Sequence, residues 1–382
     1  MKKLLLSTVL AFAFPAVTMA DVVVGFTISN TGPAAAIGIQ SQNAIELWPE
    51  TLGGETARYV ILDDATDVSK AVRNVRKMTS EDKIDLLVGP NITAAALALL
   101  DVLKETKTPM ISLVGSGSVV QPVGEGGREW AYKMAQNDDL MAHAVVDDMV
   151  KRGFKKVAYI GFADAYGDSW WREFSAAAES KLEIVGKESY QRTDSSTMGQ
   201  VLKLMSAKPD AILVAGSGTP AVLPQQTLHE RGYQGQIYQT HGIATPEFLQ
   251  VGGAVVEGTL FPTGPSVVAK TLPADHPVKK VALEFAEKYE ASYGDGTATQ
   301  FSSDAWGAWV LADSAVERTL AEGHEPGTVE FRAALREQLE STKDLLVPTG
   351  VLNITPQDHQ GFDQRAVVMG EVKDGKFVYA ED

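Results

Sequence analysis

The sequence contains no cysteine, and this absence removes several classes of protein at once. Disulfide bonds, thiol nucleophiles, zinc–thiolate centres and a lipid-modified N-terminal cysteine all require a residue that the chain does not have. Positive charge is also scarce, since 34 Lys and Arg residues face 49 Asp and Glu residues and no basic run stands out. Because nucleic acids and anionic membrane surfaces bind through basic patches, we expect neither as a partner.

Long apolar runs are confined to the N-terminus. Residues 1–20, MKKLLLSTVLAFAFPAVTMA, join two lysines to an apolar stretch and end in small residues, which is typical of a secretory signal peptide. A membrane-spanning helix needs roughly 20 apolar residues and Pro15 interrupts this stretch, so a membrane anchor is the weaker interpretation. We predict cleavage before Asp21 and secretion of the remaining chain.

The motifs of common enzyme classes are missing as well. The six histidines form no His-Glu-x-x-His zinc motif, and no Gly-x-Ser-x-Gly nucleophile elbow occurs. Gly216 and Gly218 follow an apolar run without the third glycine of a dinucleotide-binding fingerprint. The aspartates at 63, 64 and 67 lack the alternating ligand pattern of a calcium loop, so we interpret them as caps of the following helix. We therefore predict a protein without catalytic residues, cofactor or metal.

What the sequence does have is an alternation of short Val-, Ile- and Leu-rich runs with segments of helical periodicity, such as the apolar stripe from Val68 to Met78. This alternation predicts an α/β fold in which helices flank parallel sheets. The length after a leader exceeds what one hydrophobic core usually organises, so we expect two domains. The predicted strands are DVVVGFT, RYVILDD, IDLLVG, TPMISLVG, KKVAYIG, DAILVAG and GQIYQT.

A weak internal repeat supports two halves of one topology. Gly89 and Gly115 each close an apolar run, and Gly216 and Gly242 close two similar runs at the same separation. Candidate crossings between the halves are the stretches 134–140, 261–266 and 347–350. In open parallel sheets, ligands bind beyond the carboxyl ends of the strands, so we look for a site at these ends.

The predicted strand ends carry glycine and small polar residues just before helices, and unpaired N–H groups at helix starts favour an anion. Thr93 and Ser116 have two interpretations, since a hydroxyl here can cap its own helix or hold a ligand. Tyr166 is either a surface ring or a ligand contact. Trp170 and Trp171 cannot both face a core from adjacent helical positions, so we expect one of them to line a cleft or an interface.

The chain resembles the leucine/isoleucine/valine-binding protein family, the periplasmic substrate-binding subunits of branched-chain-type ABC transporters. The order and spacing of several segments carry this resemblance. The resemblance implies two Rossmann-like lobes with parallel sheets, joined by three crossover strands and closing over a ligand by hinge bending. It also implies a periplasmic location and a membrane permease as partner. The segments are VGFTISNTGPAAAIG, ILDDATDVSKAVRNV, LLVGPNITAAALAL, TPMISLVGSGS, ADAYGDSW and DHQGFDQRAVVMGEVKDGKFVYA.

The resemblance also implies site residues. A ligand carboxylate would be held by Thr93, with Asn91, after the third strand and by the segment Val114, Gly115 and Ser116 after the fourth. Tyr166 matches a tyrosine that closes over the ligand from the second lobe.

Three positions depart from the amino-acid binders of this family. Ile37 and Gly218, the latter beside Thr219, stand where aromatic side chains often reach the pocket, which predicts a larger pocket. His241 stands where a glutamate receives the ligand's ammonium, which predicts a contact with a carboxylate, carbonyl or hydroxyl. The alternative for His241 is a neutral imidazole that hydrogen-bonds to the backbone of a turn.

We therefore predict a non-catalytic, monomeric periplasmic receptor that captures a small organic acid, an aromatic carboxylate, for uptake, with Trp170 supplying a ring contact. An amino-acid receptor and a ligand-binding sensory protein are the alternatives. The predicted N-terminal lobe is 21–137 with 265–346, and the C-terminal lobe is 138–264 with 347–382.

Overall fold

A computed structural model describes residues 21–381 of the chain. The predicted signal peptide, residues 1–20, lies outside the described residues. Within them, no helix is both long and apolar enough to cross a membrane.

The first sheet is built from the N-terminal third of the chain. Its six strands lie in the order β2-β3-β1-β4-β5-β6, and all pairs are parallel except the short β2–β3 hairpin. Their Val-, Ile- and Leu-rich sequences suit strands that helices cover on both faces. The strands are β1 (Val22–Ile28), β2 (Thr51–Leu52), β3 (Glu55–Asp63), β4 (Leu86–Val88), β5 (Met110–Ser112) and β6 (Ala131–Lys133).

The second sheet has seven strands in the order β15-β14-β11-β10-β9-β7-β8. Five of them are parallel, and β14 and β15 extend the sheet as an antiparallel edge. A separate hairpin, β12–β13, lies between β11 and β14 in the chain. The bounds are β7 (Lys156–Phe162), β8 (Glu183–Tyr190), β9 (Ala211–Ala215), β10 (Gln236–Gln239), β11 (Leu260–Thr263), β12 (Leu345–Val347), β13 (Gly350–Leu352), β14 (Val368–Lys373) and β15 (Lys376–Tyr379).

The two sheets share one topology. In each set of five parallel strands, the second strand in chain order lies on one side of the first strand. The third, fourth and fifth strands lie in order on its other side. Gly89 and Gly115 follow β4 and β5, and Gly216 and Gly242 follow β9 and β10, which are the third and fourth strands of their sheets. The repeat read from the sequence therefore marks equivalent strand ends.

Helices cover both sheets, and two large apolar clusters form the cores. One contains Phe26, Trp48 and Leu311, and the other contains Tyr159, Phe174 and Tyr238. The helices are α1 (Ala35–Ile45), α2 (Val68–Lys77), α3 (Thr93–Thr106), α4 (Asp138–Lys151), α5 (Ala165–Ala178), α6 (Met198–Ser206), α7 (Val222–Glu230), α8 (Pro246–Gly252), α9 (Lys279–Tyr293), α10 (Gln300–Ala321) and α11 (Val329–Glu340).

The chain passes between the lobes three times. Residues 134–137 join β6 to α4, and residues 264–278 lead from β11 to α9, which packs on the first core. The third passage differs from the prediction at 347–350, because Val347, Leu352 and Ala366 belong to the first core while Val367 packs on the second. We place this crossing at 366–367, so residues 347–366 move to the N-terminal lobe. The remaining lobe boundaries stay a prediction.

The acidic cluster before α2 has the capping role expected of it. Asp67 is the N-cap of α2 and accepts a hydrogen bond from the backbone N–H of Lys70 at 2.5 Å. Asp64 accepts from Ser29 Oγ at 2.6 Å and ties the end of β1 to the end of β3. Within residues 21–381 no group of acidic or histidine side chains is arranged to hold a metal ion.

Candidate functional site

A small closed cavity lies between the two lobes at the carboxyl ends of the strands. Its volume is about 20 Å³, which is room for about one water molecule. A larger molecule therefore enters only when the lobes separate. Seven of the predicted site residues line it, and they are Ile37, Asn91, Thr93, Val114, Gly115, Tyr166 and His241.

Thr93 is the first residue of α3, and its hydroxyl is not a helix cap. The N-cap position belongs to Ile92, and the cap makes no side-chain hydrogen bond. Thr93 is 2% exposed, yet its Oγ1 has no hydrogen-bond partner among the described residues. A buried hydroxyl without a partner costs free energy, so this oxygen is available to a ligand in the cavity.

The segment after β5 offers backbone donors beside Thr93. Val114 and Gly115 line the cavity, and their N–H groups have no hydrogen-bond partner within residues 21–381. Ser116 does not line the cavity, and its hydroxyl is 2.7 Å from Ser118 Oγ. The structure thus brings the backbone of this segment to the site but pairs the Ser116 side chain elsewhere.

Asn91 lines the cavity, but both polar atoms of its side chain already have hydrogen-bond partners. Its Oδ1 accepts from the Ser29 N–H at 3.1 Å, and its Nδ2 donates to Ser41 Oγ at 2.9 Å. These bonds link the ends of β1 and β4 with α1. Asn91 consequently holds the turn before α3 in place.

Tyr166 reaches the cavity from α5, whose N-terminus is capped by Asp164. The Tyr166 hydroxyl is 2.8 Å from Thr240 Oγ1, and Thr240 donates its own hydrogen to the Gly216 carbonyl at 2.7 Å. Because Thr240 has only one hydroxyl hydrogen, Tyr166 is the donor in their bond. The phenol oxygen therefore keeps acceptor capacity, while the ring faces the cavity.

His241 is a neutral imidazole in this site. It is 3% exposed, and burial, helped by the positive charge of Lys133, lowers its pKa to about 3. The alternative of a ring bonded to turn backbone is wrong, because Nδ1 has no hydrogen-bond partner among the described residues. A Cβ atom on Gly115 would lie 3.0 Å from His241 Nε2, so the glycine allows the two lobes to meet here.

Trp170 lies behind the site and not in its wall. It is fully buried in the second core, with its ring 5.8 Å from the His241 ring. Trp171 is half-buried and packs against Tyr159, with Lys187 Nζ 4.4 Å from its ring. Neither tryptophan lines the cavity, so the expected direct ring contact from Trp170 is wrong for this closed form.

Gly218 does not line the cavity of the closed form, so the expected enlargement of the pocket at this position stays a prediction. A Cβ atom at Gly218 would lie 3.6 Å from Ala36 Cβ and 3.8 Å from Ile37 Cγ2. A side chain at this position would thus be in ordinary contact with the start of α1, while the φ of 59° is a backbone conformation that favours glycine. Thr219 begins the adjacent 3₁₀ turn, half-buried and outside the cavity wall.

Arg192 lines the cavity and was missed by the sequence analysis. Its Nε donates to Asp164 Oδ2 at 2.7 Å and its Nη1 donates to Ser217 Oγ at 2.9 Å, while the guanidinium lies 4.0 Å from the Phe162 ring. Arg192 follows β8, whose half-buried sequence was not recognised as a strand. The available signal was its position just after an alternating segment, at the end of the second strand of its sheet.

Asp304 is the other residue that the sequence analysis missed. It lies on α10, is 1% exposed and accepts from Gln300 Nε2 at 2.8 Å. Burial raises its pKa to about 8, partly opposed by the Gln300 hydrogen bond and the Lys133 charge. At neutral pH the acid is thus mostly protonated and can donate to a ligand oxygen.

A second buried acid stands just outside the cavity. Asp138 begins α4, and neither of its carboxyl oxygens has a hydrogen-bond partner in the described chain. Burial raises the pKa of Asp138 and lowers that of Lys133, and each charge partly offsets the other's shift. Lys133 Nζ donates to the Gly115 carbonyl at 2.5 Å and to Asn137 Oδ1 at 2.7 Å, so this cation holds the strand end beneath the site.

Comparisons with known proteins agree with this architecture. A sequence model described as periplasmic binding protein matches residues 21–376. Leu/Ile/Val-binding protein homolog 3 of Brucella melitensis is 26% identical over 91% of this chain and 92% of its own length. The Leu/Ile/Val-binding protein BraC3 of Rhizobium johnstonii is 24% identical over the full length of both.

Solved structures are similar over nearly the whole chain. An extracellular ligand-binding receptor from Rhodopseudomonas palustris HaA2 is 42% identical with a TM-score of 0.90, covering 94% of this chain and 100% of that one. The branched-chain amino acid binding protein LivJ of Streptococcus pneumoniae, solved with isoleucine, shares the fold at 20% identity and a TM-score of 0.79, over 95% of this chain and 99% of that one. The chain belongs to the periplasmic binding protein family of the type I, leucine/isoleucine/valine-binding kind.

Proposed function

We propose that this protein captures a small organic carboxylate without an α-ammonium group, one that carries an aromatic ring, and delivers it to the permease of an ABC transporter. The coarser part, a ligand-binding protein of the branched-chain-type transporter family, follows from the family itself. The ligand class rests on the chemistry of the cavity.

The supporting observation is a set of unpaired donors that converge from two strand ends. They are the buried Thr93 hydroxyl, the first N–H groups of α3 and the N–H groups of Val114 and Gly115. Such donors favour an anion, and a helix start adds a positive field. The neutral His241 and the protonated Asp304 face the same space without adding a negative charge.

The remaining wall suits a flat apolar group. Ile37, Leu113 and Phe301 contribute carbon surface from the first lobe, and Tyr166 contributes a ring from the second. Aromatic ligands gain both buried area and ring contacts from such walls. A charged ammonium would be stripped of water there, and about 4 kcal/mol of uncompensated cost is near a thousand-fold loss of affinity.

An amino-acid ligand is the second candidate, and Asp304 is the observation that favours it. An ammonium group near this carboxyl would stabilise its ionised form. The Asp304 carboxylate would then replace the glutamate that is expected where His241 stands. The similarity to Leu/Ile/Val-binding proteins of Brucella melitensis and Rhizobium johnstonii also favours this candidate.

Isothermal calorimetry against leucine, glutamate, benzoate, 4-hydroxybenzoate, coumarate and benzoylformate separates the two candidates. We expect binding of at least one aromatic acid and none of leucine at the same concentration. Tight leucine binding with no aromatic acid bound would overturn the proposal. In that case, Asp304→Asn should abolish leucine binding, because the variant cannot supply a negative charge.

Transport and sensing use the same binding step, so calorimetry does not separate them. We expect deletion of the gene for this protein to abolish uptake of the radiolabelled ligand by intact cells. Unchanged uptake, with loss of a transcriptional response to the ligand, would support the sensory alternative.

A further inference from the structure

The three segments that connect the lobes share one buried hydrogen-bond network. Gln136, in the first segment, is fully buried and donates from Nε2 to the Ala366 carbonyl at 2.8 Å and the Thr349 carbonyl at 3.1 Å. The Ala366 carbonyl stands at the third crossing. The Gln136 side chain therefore binds the first connection to the third.

Gln300 adds the second connection. This residue, at the start of α10, is also fully buried, and its Oε1 accepts from the Gly264 N–H at 2.8 Å. Its Nε2 donates to Gln136 Oε1 at 3.0 Å. The approach is close, since a Cβ atom on Gly264 would lie 2.8 Å from Gln300 Oε1 and 2.9 Å from Gln136 Nε2.

The same network reaches the cavity. The second hydrogen of Gln300 Nε2 goes to Asp304 Oδ1 at 2.8 Å, and Asp304 lines the cavity one helical turn further along α10. Each amide hydrogen of Gln136 and Gln300 has an acceptor, so the two side chains leave no unpaired donor. A shift of the crossing segments would break the bonds of Gln300 to Gly264 and Gln136, and Gln300 is the residue whose Nε2 also holds Asp304.

We propose that Gln136 and Gln300 are positioning residues that set the angle between the lobes and couple it to the ligand through Asp304. The ligand half of this proposal rests on the proposed function, whereas the hinge half does not. In the closed form every bond of the pair is made. Lobe opening moves the three connecting segments relative to one another, so the buried amides of Gln136 and Gln300 lose hydrogen-bond partners. This loss costs free energy and therefore favours the closed form.

The first test measures the distance between the lobes without any ligand. Because the chain has no cysteine, Lys104→Cys on α3 and Leu202→Cys on α6 give one spin label per lobe at exposed positions. We expect Gln300→Met and Gln136→Met to shift the distance distribution towards longer values or broaden it, relative to the doubly labelled parent.

Gln225→Met is the matched control. Gln225 is also buried and amide-bonded, accepting from Gln239 and donating to the Val255 carbonyl and to Thr259, but all of these partners lie in the second lobe. Its variant should keep the parent distribution. If the Gln300 and control variants give the same distribution, the hinge role is wrong. Should the methionine variants not fold by circular dichroism, Gln300→Glu, which keeps the acceptor for Gly264, is measured in their place.

The second test concerns coupling and uses 4-hydroxybenzoate and leucine as probes. With whichever probe the parent binds, Gln300→Met should lower the affinity roughly ten-fold or more, while Gln225→Met leaves it within about two-fold. Asp304→Asn keeps an acceptor for Gln300, so we expect it to retain the parent distance distribution but to change the preference between the probes. Unchanged affinity in Gln300→Met would overturn the coupling. Binding of leucine alone would refute the proposed function and leave the distance result standing.

Discussion

At Thr93, the effect of a hydroxyl on ligand affinity can be measured separately from its effect on protein stability. Thr93→Val keeps the shape of the side chain and removes a hydroxyl that has no partner in the described protein. A hydrogen bond to a charged group contributes about 1.5–3 kcal/mol, so affinity for an aromatic acid should fall ten-fold to more than a hundred-fold. Thermal stability without ligand should not decrease.

Thr319→Val is the matched control for that calorimetric measurement. Thr319 is a buried threonine of α10 whose hydroxyl donates to the Ala315 carbonyl, away from the cavity. Its substitution should cost stability and leave affinity unchanged. A Thr93 variant that loses stability but binds normally would return Thr93 to a purely structural role.

His241→Glu tests the charge of the cavity. The carboxylate would oppose a ligand carboxylate at close range, so we expect loss of aromatic-acid binding by at least a hundred-fold, about 2.7 kcal/mol. Leucine binding should appear or strengthen in the same variant, because an ammonium gains an ionic partner. Calorimetry with the aromatic acid and with leucine measures both changes in affinity. An equal loss of affinity for the two ligands would indicate a misfolded cavity.

Asp304 predicts a pH dependence of stability. Its folded pKa, about 8, lies above the ordinary 3.8, so its contribution is present in full below pH 3.8 and is lost as pH rises towards 8. Asp304→Asn removes this titration. The melting temperature of the variant relative to wild type should therefore rise between pH 4 and 8 and level off above, by the equivalent of several kcal/mol. A difference that does not change with pH would show that the acid titrates normally.

The sequence predicted the residues that follow regular strands and missed those that the fold brings from elsewhere. Gly89, Gly115 and His241 were found because each ends an apolar run, and parallel strand ends meet at one edge of a sheet. Arg192 follows a half-buried strand with a weak pattern, and Asp304 lies inside a long helix. Only the tertiary fold shows that this helical position faces the cleft.

Contacts between α1 and α8 hold the lobes together outside the cavity. Gln40 Nε2 donates to Glu247 Oε1 at 3.1 Å across the cleft, and Tyr289 donates to Gln40 Oε1 at 2.8 Å. Because Gln40 and Glu247 belong to different lobes, separation of the lobes would break this bond. Glu247→Ala should therefore weaken ligand binding by roughly three- to ten-fold, the equivalent of about 0.6–1.4 kcal/mol.

The loss from Glu247→Ala should appear mainly as a faster dissociation rate in stopped-flow measurements, since the closed complex is the state that loses a contact. Gln250→Ala, at an exposed position of the same helix, is the control and should bind as wild type. An unchanged dissociation rate for Glu247→Ala would mean that the bond does not stabilise closure.

The equivalence of the two sheets explains why the site lies between them. Each lobe presents the ends of its third and fourth strands, with Gly89 and Gly115 on one side and Gly216 and Gly242 on the other. The glycines allow close approach, as the Gly115–His241 contact shows. The part of this arrangement that the sequence did not predict is the third crossing, because the hairpin at 345–352 was read as the passage itself.

Closure of the whole molecule can be measured directly. The cavity of about 20 Å³ cannot admit an aromatic acid without lobe separation, so the ligand-free protein must populate an open form in order to bind. A compact chain of this length has a radius of gyration of roughly 21 Å, and hinge opening adds on the order of 1 Å. Small-angle scattering of a chain that begins at Asp21 should show this radius falling when a ligand found by calorimetry is added at saturation. Glu247→Ala should start from an equal or larger radius and reach the same closed value, because the ligand supplies most of the closing free energy. A radius that stays constant from zero to saturating ligand would contradict a hinged cleft, and binding would then have to proceed through side-chain movement within closed lobes.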